Sequence, residues 1–388
     1  MTSKNSIIKS LLLLICWIGG ISFSFAQEHE ADTTKRNWLG KTAHKIFGAE
    51  RDPGKPHFLV YPTLGYAPET SFEIGASALA LFYAKNDYLN NRLSEIKLFS
   101  FVTTERQYGI WLEHGIYGDR DNWFYLGAIR QQRFPLLYYG IGNETPGDDP
   151  ILINADYTLI RERILKRVAR NFFIGLEIDF QRLYNAEFER QAVPEPLGAE
   201  GSLNLGLGLG IVYDSRQNVL NEREGFFAEL AFLNYNDSWG SDYEFNGIYW
   251  DVRKFYPMTP DKKQVLALQA AGTFVRGDVP FNQLALLGGE VLMRGYYLGR
   301  FRDNNYAAAQ AEYRFLPFPF SKRFGAAAFV SAGMVAEEPG AFRLSKFLPA
   351  GGAGIRFLLF PQKDIYVRLD VAFTQEGSGI YFFTGEAF

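Results

Sequence analysis

Strict alternation of apolar and polar residues over nine or more positions demands an extended chain with two unlike faces. Three stretches show it most clearly. Leu203, Leu205, Leu207, Leu209 and Ile211 alternate with Asn204, Gly206, Gly208 and Gly210. Phe172, Ile174, Leu176, Ile178 and Phe180 alternate with Gly175, Glu177, Asp179 and Gln181. Ile365, Val367, Leu369, Val371 and Phe373 alternate with Tyr366, Arg368, Asp370 and Ala372. In a water-soluble sandwich the apolar row would be the core. In a membrane barrel it faces lipid and the polar row lines the lumen. Alternation alone leaves both open.

Other features favour the membrane. Lys4 and Lys9 precede a short apolar stretch, Leu11 to Ile21, followed by Ser24-Phe25-Ala26. This reads as an export signal over residues 1–26, cleaved before Gln27. Beyond Ala26 no run of 18 apolar residues occurs, which argues against membrane helices. Aromatics make up 16% of the chain, with 35 Phe and 22 Tyr, a load suited to the girdles at both membrane interfaces. The one cysteine, Cys16, lies within the signal, so disulfides and thiol chemistry are not expected of the exported chain. A net charge of −3 gives no case for nucleic-acid binding.

The spacing predicts sixteen strands, starting near His57, Ser71, Asn91, Arg106, Asp121, Ala155, Asn171, Gly201, Gly225, Tyr243, Lys263, Asn304, Arg323, Leu348, Asp364 and Gly379. Tight polar connections such as Gly118-Asp119-Arg120 alternate with long ones such as Tyr138–Asn154 and Asn282–Asp303. That asymmetry and an even strand number suit an antiparallel transmembrane β-barrel over residues 57–388, with short periplasmic turns and long surface loops. Tyr157–Val168 and Tyr243–Tyr256 are the least regular segments. The former puts Arg161, Glu162, Arg163, Lys166 and Arg167 on both faces, so either it bulges or one end leaves the hydrocarbon. Between signal and barrel, residues 27–56 place Trp38, Leu39, Ala43, Ile46 and Phe47 at helical spacing. An amphipathic helix is expected there, either a loose periplasmic tail or a brace at the barrel mouth.

Three segments carry a family resemblance. They are "YDSRQNVLNEREGFF" from Tyr213, "LGGEVLMRGYYLGRFRDN" from Leu287, and "YYGIGNET" from Tyr138. Together they resemble the bacterial surface antigen family, the barrels of BamA, TamA and the two-partner secretion transporters. The first is similar to the family's turn between the eighth and ninth strands, here Asp214, Arg216, Asn218 and Gly225. The second is similar to its sixth surface loop, which folds into the lumen with an Arg-Gly-aromatic tip, here Arg294-Gly295-Tyr296. The third looks like a recurring segment of shorter members. The resemblance implies partners for Arg294 on the lumen wall of the twelfth and thirteenth strands. Glu312 matches the first. On the thirteenth, Ser331 stands where the family has Asp, followed by Gly333. The expected pairing is therefore Arg294 with Glu312, with Ser331 adding a neutral hydrogen bond. Phe388, with aromatics before it, resembles the last-strand signal for membrane insertion. The family's periplasmic (POTRA) docking domains find no counterpart in the short segment before the barrel, so a minimal member without them is expected.

Catalytic and metal chemistry find little support. His29, His44, His57 and His114 show no ligand spacing, and no metal or cofactor is expected. Gly206-x-Gly208-x-Gly210 sits within strand alternation, so small lumen-wall residues explain it better than a nucleotide loop. A barrel lipase would need Ser, His and an orienting residue facing outward together; His114 is the one strand histidine to consider, and an enzyme is not expected. Glu144, Asp148 and Asp149 read as a solvated acidic loop. The leading expectation is a barrel of the Gram-negative outer membrane that inserts or translocates protein or lipid there. Its expected partners are outer-membrane lipid and lipopolysaccharide, an unidentified cargo and a periplasmic or membrane protein in trans. The alternative is a passive or structural barrel, a plugged pore or a subunit of a larger complex.

Overall fold

A strand with one apolar side chain in two must put that row somewhere dry, and here the row lies on the outside. The computed structural model describes residues 54–388, apart from 68–70, 105 and 219. The expected export signal, and nearly all of the expected amphipathic segment, lie outside the described residues. In the seventh strand Asp179 is fully buried while Leu176, three residues away, is 58% exposed. Leu209, Phe232 and Val330 are likewise exposed, and Arg314, Arg356 and Asp370 buried. Charge inside and hydrocarbon outside is the arrangement of a membrane barrel, not of a soluble core.

Sixteen strands form one sheet in which each pairs antiparallel with the next in the chain. In order they are His57–Ala67, Ser71–Tyr83, Leu93–Thr103, Tyr108–Tyr117, Trp123–Tyr138, Ile151–Ala169, Phe172–Phe188, Ser202–Asp214, Gly225–Tyr235, Phe245–Pro257, Gln264–Gly277, Asn305–Phe315, Phe324–Ala336, Leu348–Phe360, Ile365–Thr374 and Ser378–Thr384. They are named below by ordinal. A separate two-stranded hairpin, Ala285–Leu287 with Phe301–Asp303, lies within the connection between the eleventh and twelfth strands.

The irregular sixth strand has a physical explanation. It pairs with the seventh through two register shifts, at Asn154/Asp156 and Arg167/Ala169. Its inward arginines are matched: Arg161 Nε lies 3.0 Å from Asp179, and Arg163 meets Glu177 at 3.0 Å and also Glu229. Gly206 and Gly210 line the lumen wall, where added Cβ atoms would strike the Tyr235 ring at 2.5 Å and Glu177 Oε1 at 2.2 Å. The first and last strands also touch, with Tyr61 OH and Thr384 Oγ1 at 3.2 Å.

Candidate functional site

The connection after the eleventh strand turns inward because its hairpin and tip have an apolar seat on the wall. Leu287, Met293, Tyr296 and Phe301 pack with Ala308, Val335 and Ala350 from the twelfth, thirteenth and fourteenth strands. Gly333 clears this seat, since a Cβ there would lie 2.7 Å from Ala308 Cβ and 2.9 Å from Leu287 Cδ1. Gly295 adopts φ +107°, a left-handed conformation that favours glycine, and its N–H donates to Tyr381 OH of the last strand at 2.8 Å. Tyr296 is buried, and its hydroxyl donates to the Pro349 carbonyl at 3.2 Å.

This packing delivers Arg294, fully buried, to two carboxylates. Its Nη2 donates to Glu312 Oε2 at 2.6 Å and its Nη1 to Asp370 Oδ2 at 2.7 Å. The guanidinium also lies 3.4 Å from the centroid of the Phe329 ring. One expectation needs correction. Ser331 does not supply the second contact: its buried Oγ has no hydrogen-bond partner. The second acid comes instead from Asp370 on the fifteenth strand. Asp370 already sits between Arg356 at 2.5 Å and Arg368 at 2.7 Å, so a carboxylate on the thirteenth strand is not required. Glu312 is shared in the same way, accepting from Arg314 Nε at 2.7 Å.

A third acid comes from an unexpected place. The last strand ends at Thr384, and Gly385, at φ +88°, turns the chain into the lumen. Glu386 then meets Arg356 Nε at 2.8 Å and Arg314 at 3.8 Å. Phe388 follows it inward, buried against Phe255, with its main-chain oxygen accepting from Arg314 Nη2 at 3.0 Å. Phe388 therefore does not stand on the last strand as its reading as a strand signal required. Once the chain turns, the Glu386 carboxylate gains two cations and Phe388 an apolar seat.

The clamp thus sets four guanidinium groups, Arg294, Arg314, Arg356 and Arg368, around three carboxylates, Glu312, Asp370 and Glu386. Breaking such a network is costly because any charge left alone is buried without water. Asp370, Arg356, Arg314 and Glu386 were not singled out from the sequence. For Arg314 and Asp370 the signal was there, in charges recurring at every second position: Glu312-x-Arg314 and Arg368-x-Asp370.

The other resemblance segments meet the same loop. Arg300 donates to Glu376 at 2.6 and 2.5 Å and to the Thr145 carbonyl and hydroxyl at 2.7 and 2.8 Å. Glu376 lies in the connection between the fifteenth and sixteenth strands, so the tie reaches the final hairpin. Arg302 donates to the carbonyls of Leu137 and Gly299 at 3.0 Å, and burial pushes its guanidinium down to about 10. The segment from Tyr138 to Thr145 is therefore the outer collar of the sixth loop. Glu144 pairs with Lys346 and Asp149 with Arg190, so that acidic loop does not converge on one point.

At the opposite mouth, Arg216 donates to Asp214 through Nε and Nη2, both at 3.1 Å, and Tyr117 OH donates to Asp214 at 2.8 Å. Gly225 closes the turn with φ +148°. Asn218 Nδ2 reaches the Lys363 carbonyl at 2.8 Å, and Arg223 donates twice to Asp364, at 2.5 and 2.8 Å. Leu220 packs with Leu59 of the first strand and Ile365 of the fifteenth, and its carbonyl accepts from Glu386 N at 2.8 Å. The motif turn therefore touches both flanks of the seam between the first and last strands. His114, by contrast, faces outward. It bonds Glu162 at 3.0 Å, and its outward ladder partners are Ile96 and Gly127, neither a nucleophile.

Comparison with known proteins agrees with this geometry. Residues 158–388 match the Omp85 superfamily domain. No curated protein matches the sequence. BamA from Haemophilus ducreyi lacking POTRA domains 1–3 superposes with a TM-score of 0.52 at 16% identity, covering 84% of this chain and 69% of that one. CdiB from Acinetobacter baumannii gives 0.54 at 10% identity, over 84% of this chain and 59% of that one. CdiB from Escherichia coli gives 0.51 at 8% identity, over 85% and 62%. The chain thus spans about three fifths of each CdiB. The family match covers more than half of the chain, and the strand order, the inward loop and the outward hydrocarbon face agree with it: the chain belongs to the Omp85 superfamily and is a sixteen-stranded β-barrel of the Gram-negative outer membrane.

Proposed function

We propose that this barrel inserts or translocates protein or lipid at the outer membrane, with the sixth loop holding the seam. One observation carries the reading: the loop grips the final hairpin, on one side of the seam. Arg294 binds Asp370 on the fifteenth strand, Gly295 binds Tyr381 on the sixteenth, and Arg300 binds Glu376 between them. The last strand makes only seven ladder pairs with its neighbour, against eleven between the first and second. A short edge strand held by loop contacts can be released by moving the loop. In this reading the barrel is not an enzyme. It works against outer-membrane lipid and lipopolysaccharide, with a protein partner in trans to present cargo. Arg294→Ala tests it in the native bacterium: cargo delivery should fail while the barrel still folds. Normal growth, export and lipid asymmetry in that variant would refute the gate.

A second reading is a passive or structural barrel with the loop as a fixed plug. Complete burial of Arg294, Glu312 and Asp370 favours it, because that clamp is expensive to open. Deleting 287–304 would then create a steady conductance in planar bilayers and leave cargo handling unchanged.

A further inference from the structure

Facing residues of an antiparallel ladder share one side of the sheet. That rule sorts the outward wall of this barrel into two kinds. Across the eighth and ninth strands the outward positions are apolar through the hydrocarbon, as in Leu209 and Phe232. From the fourth strand to the seventh they are interrupted by polar levels, and on the seventh strand Arg182 is the ladder partner of Thr158. At the first level His114 Nε2 and Glu162 Oε2 bond at 3.0 Å over Gly127, the ladder partner of both. A Cβ on Gly127 would lie 2.3 Å from Glu162 Oε2 and 2.7 Å from His114 Nε2, so glycine leaves room for the bond. His114 Nδ1 is buried without a partner. At the second level Thr158 Oγ1 donates to Gln131 Oε1 at 2.5 Å, and Gln131 Nε2 to Tyr184 OH at 3.2 Å. At the third, Arg133 lies 3.5 Å from Asp156. Leu112, Ile129 and Ile160 form one apolar rung between the first two.

The first two levels lie inside the hydrocarbon. Lys166 over the Trp123 ring, at 5.8 Å, marks the periplasmic interface. From Trp123 to Arg133 the fifth strand advances ten residues, which matches the ~9–11 residues of a tilted membrane strand. Gly127 and Gln131 fall within that span and four residues apart. At ~3.3 Å per residue and ~45° tilt, that is about 9 Å along the membrane normal. Ionisable side chains facing lipid raise the energy of the barrel, so their placement at membrane depth marks a function. No nucleophile accompanies His114 on its ladder partners Ile96 and Gly127, which points away from lipid hydrolysis.

We propose that the outward wall of the fourth to seventh strands is a path for phospholipid headgroups between the two leaflets. The polar levels solvate the headgroup stepwise while its acyl chains remain in the hydrocarbon. Glu162 suits an ammonium group, and Arg133 suits a phosphate. Neither the sixth loop nor the seam takes part, so this path stands or falls apart from the gate.

The test uses the refolded barrel in phosphatidylethanolamine–phosphatidylglycerol vesicles carrying a trace of nitrobenzoxadiazole-labelled phosphatidylethanolamine. Dithionite bleaches the outer-leaflet label, and continued bleaching reports exchange. Wild type should exchange label far faster than protein-free vesicles. The double variant His114→Leu, Glu162→Leu should be at least about tenfold slower than wild type. Gln131→Leu alone should also slow exchange. Leucine suits a lipid-facing position, and heat-modifiable mobility verifies that each variant is folded. A wild-type rate equal to that of protein-free vesicles, or a double variant as fast as wild type, overturns the proposal. So does a photo-crosslinker at Ile129 that captures a protein instead of phospholipid in native membranes.

Discussion

Arg294 is held by two acids, each of which keeps other cations when Arg294 is gone. Glu312 retains Arg314, and Asp370 retains Arg356 and Arg368. Removing one partner of an isolated buried pair costs about 3–5 kcal/mol. Arg294→Ala should cost less than that, and the barrel should still refold. Glu312→Ala should cost more than Arg294→Ala, because it leaves four guanidinium groups facing two carboxylates. Urea midpoints of the two refolded variants would order them, and the reverse order would show that the acids are not shared. The pairing of Arg294 with Glu312 was visible in the sequence, since both sit in segments with a family likeness. Asp370 was not, because the fifteenth strand reaches the twelfth only through the curvature of the wall. Sequence periodicity shows which side a residue faces, but not which distant strand it will meet across a lumen.

Single elements repeat the lesson. Strand starts were legible to within a few residues, because turn residues and the two-residue period agree: His57, Ser71, Gly225 and Leu348 are common to expectation and structure. The inward turn at Gly385 was hidden, because Tyr381, Phe382 and Phe383 continue the aromatic pattern up to it. Two predictions belong here. Arg300→Ala removes the tie from the sixth loop to Glu376, so amide exchange should accelerate in Ser378–Thr384 before it does so in the first strand. Uniform acceleration around the barrel would contradict that local role. The second concerns the motif turn. Burial pushes the Glu222 carboxyl up to about 7 from 4.5, even though the backbone N–H groups of Asn218, Glu224 and Gln217 favour its ionised form. A raised carboxyl pKa contributes stability that is complete below the unfolded value and is lost as pH rises through the folded one. The barrel should therefore be more stable at pH 5 than at pH 8, by up to about 3 kcal/mol. Thermal unfolding across that range should show the slope in wild type and a flatter line in Glu222→Gln.

For the molecule as a whole, both mouths are obstructed by chain that belongs to the family motifs. The sixth loop reaches into the lumen from the surface side, and the turn around Leu220 crosses the periplasmic end to Leu59 and Ile365. Wild-type barrel in planar bilayers should accordingly show little steady current, and deletion of 287–304 should raise it. A large wild-type conductance would mean that the loop leaves a bypass. The membrane character was legible from alternation and aromatic load, but the direction in which the loops fold was legible only through resemblance. The inward turn after Gly385 also bears on how such a barrel is made. Arg314 already holds Glu312 and Arg356 already holds Asp370, but the third acid of the clamp, Glu386, arrives only beyond the sixteenth strand, so four guanidinium groups face two carboxylates until the end of the chain is seated. Every earlier intermediate then carries an excess of positive charge at the clamp, and neutralising it becomes a late event of biogenesis. A half-made barrel therefore differs electrostatically at the clamp from a finished one.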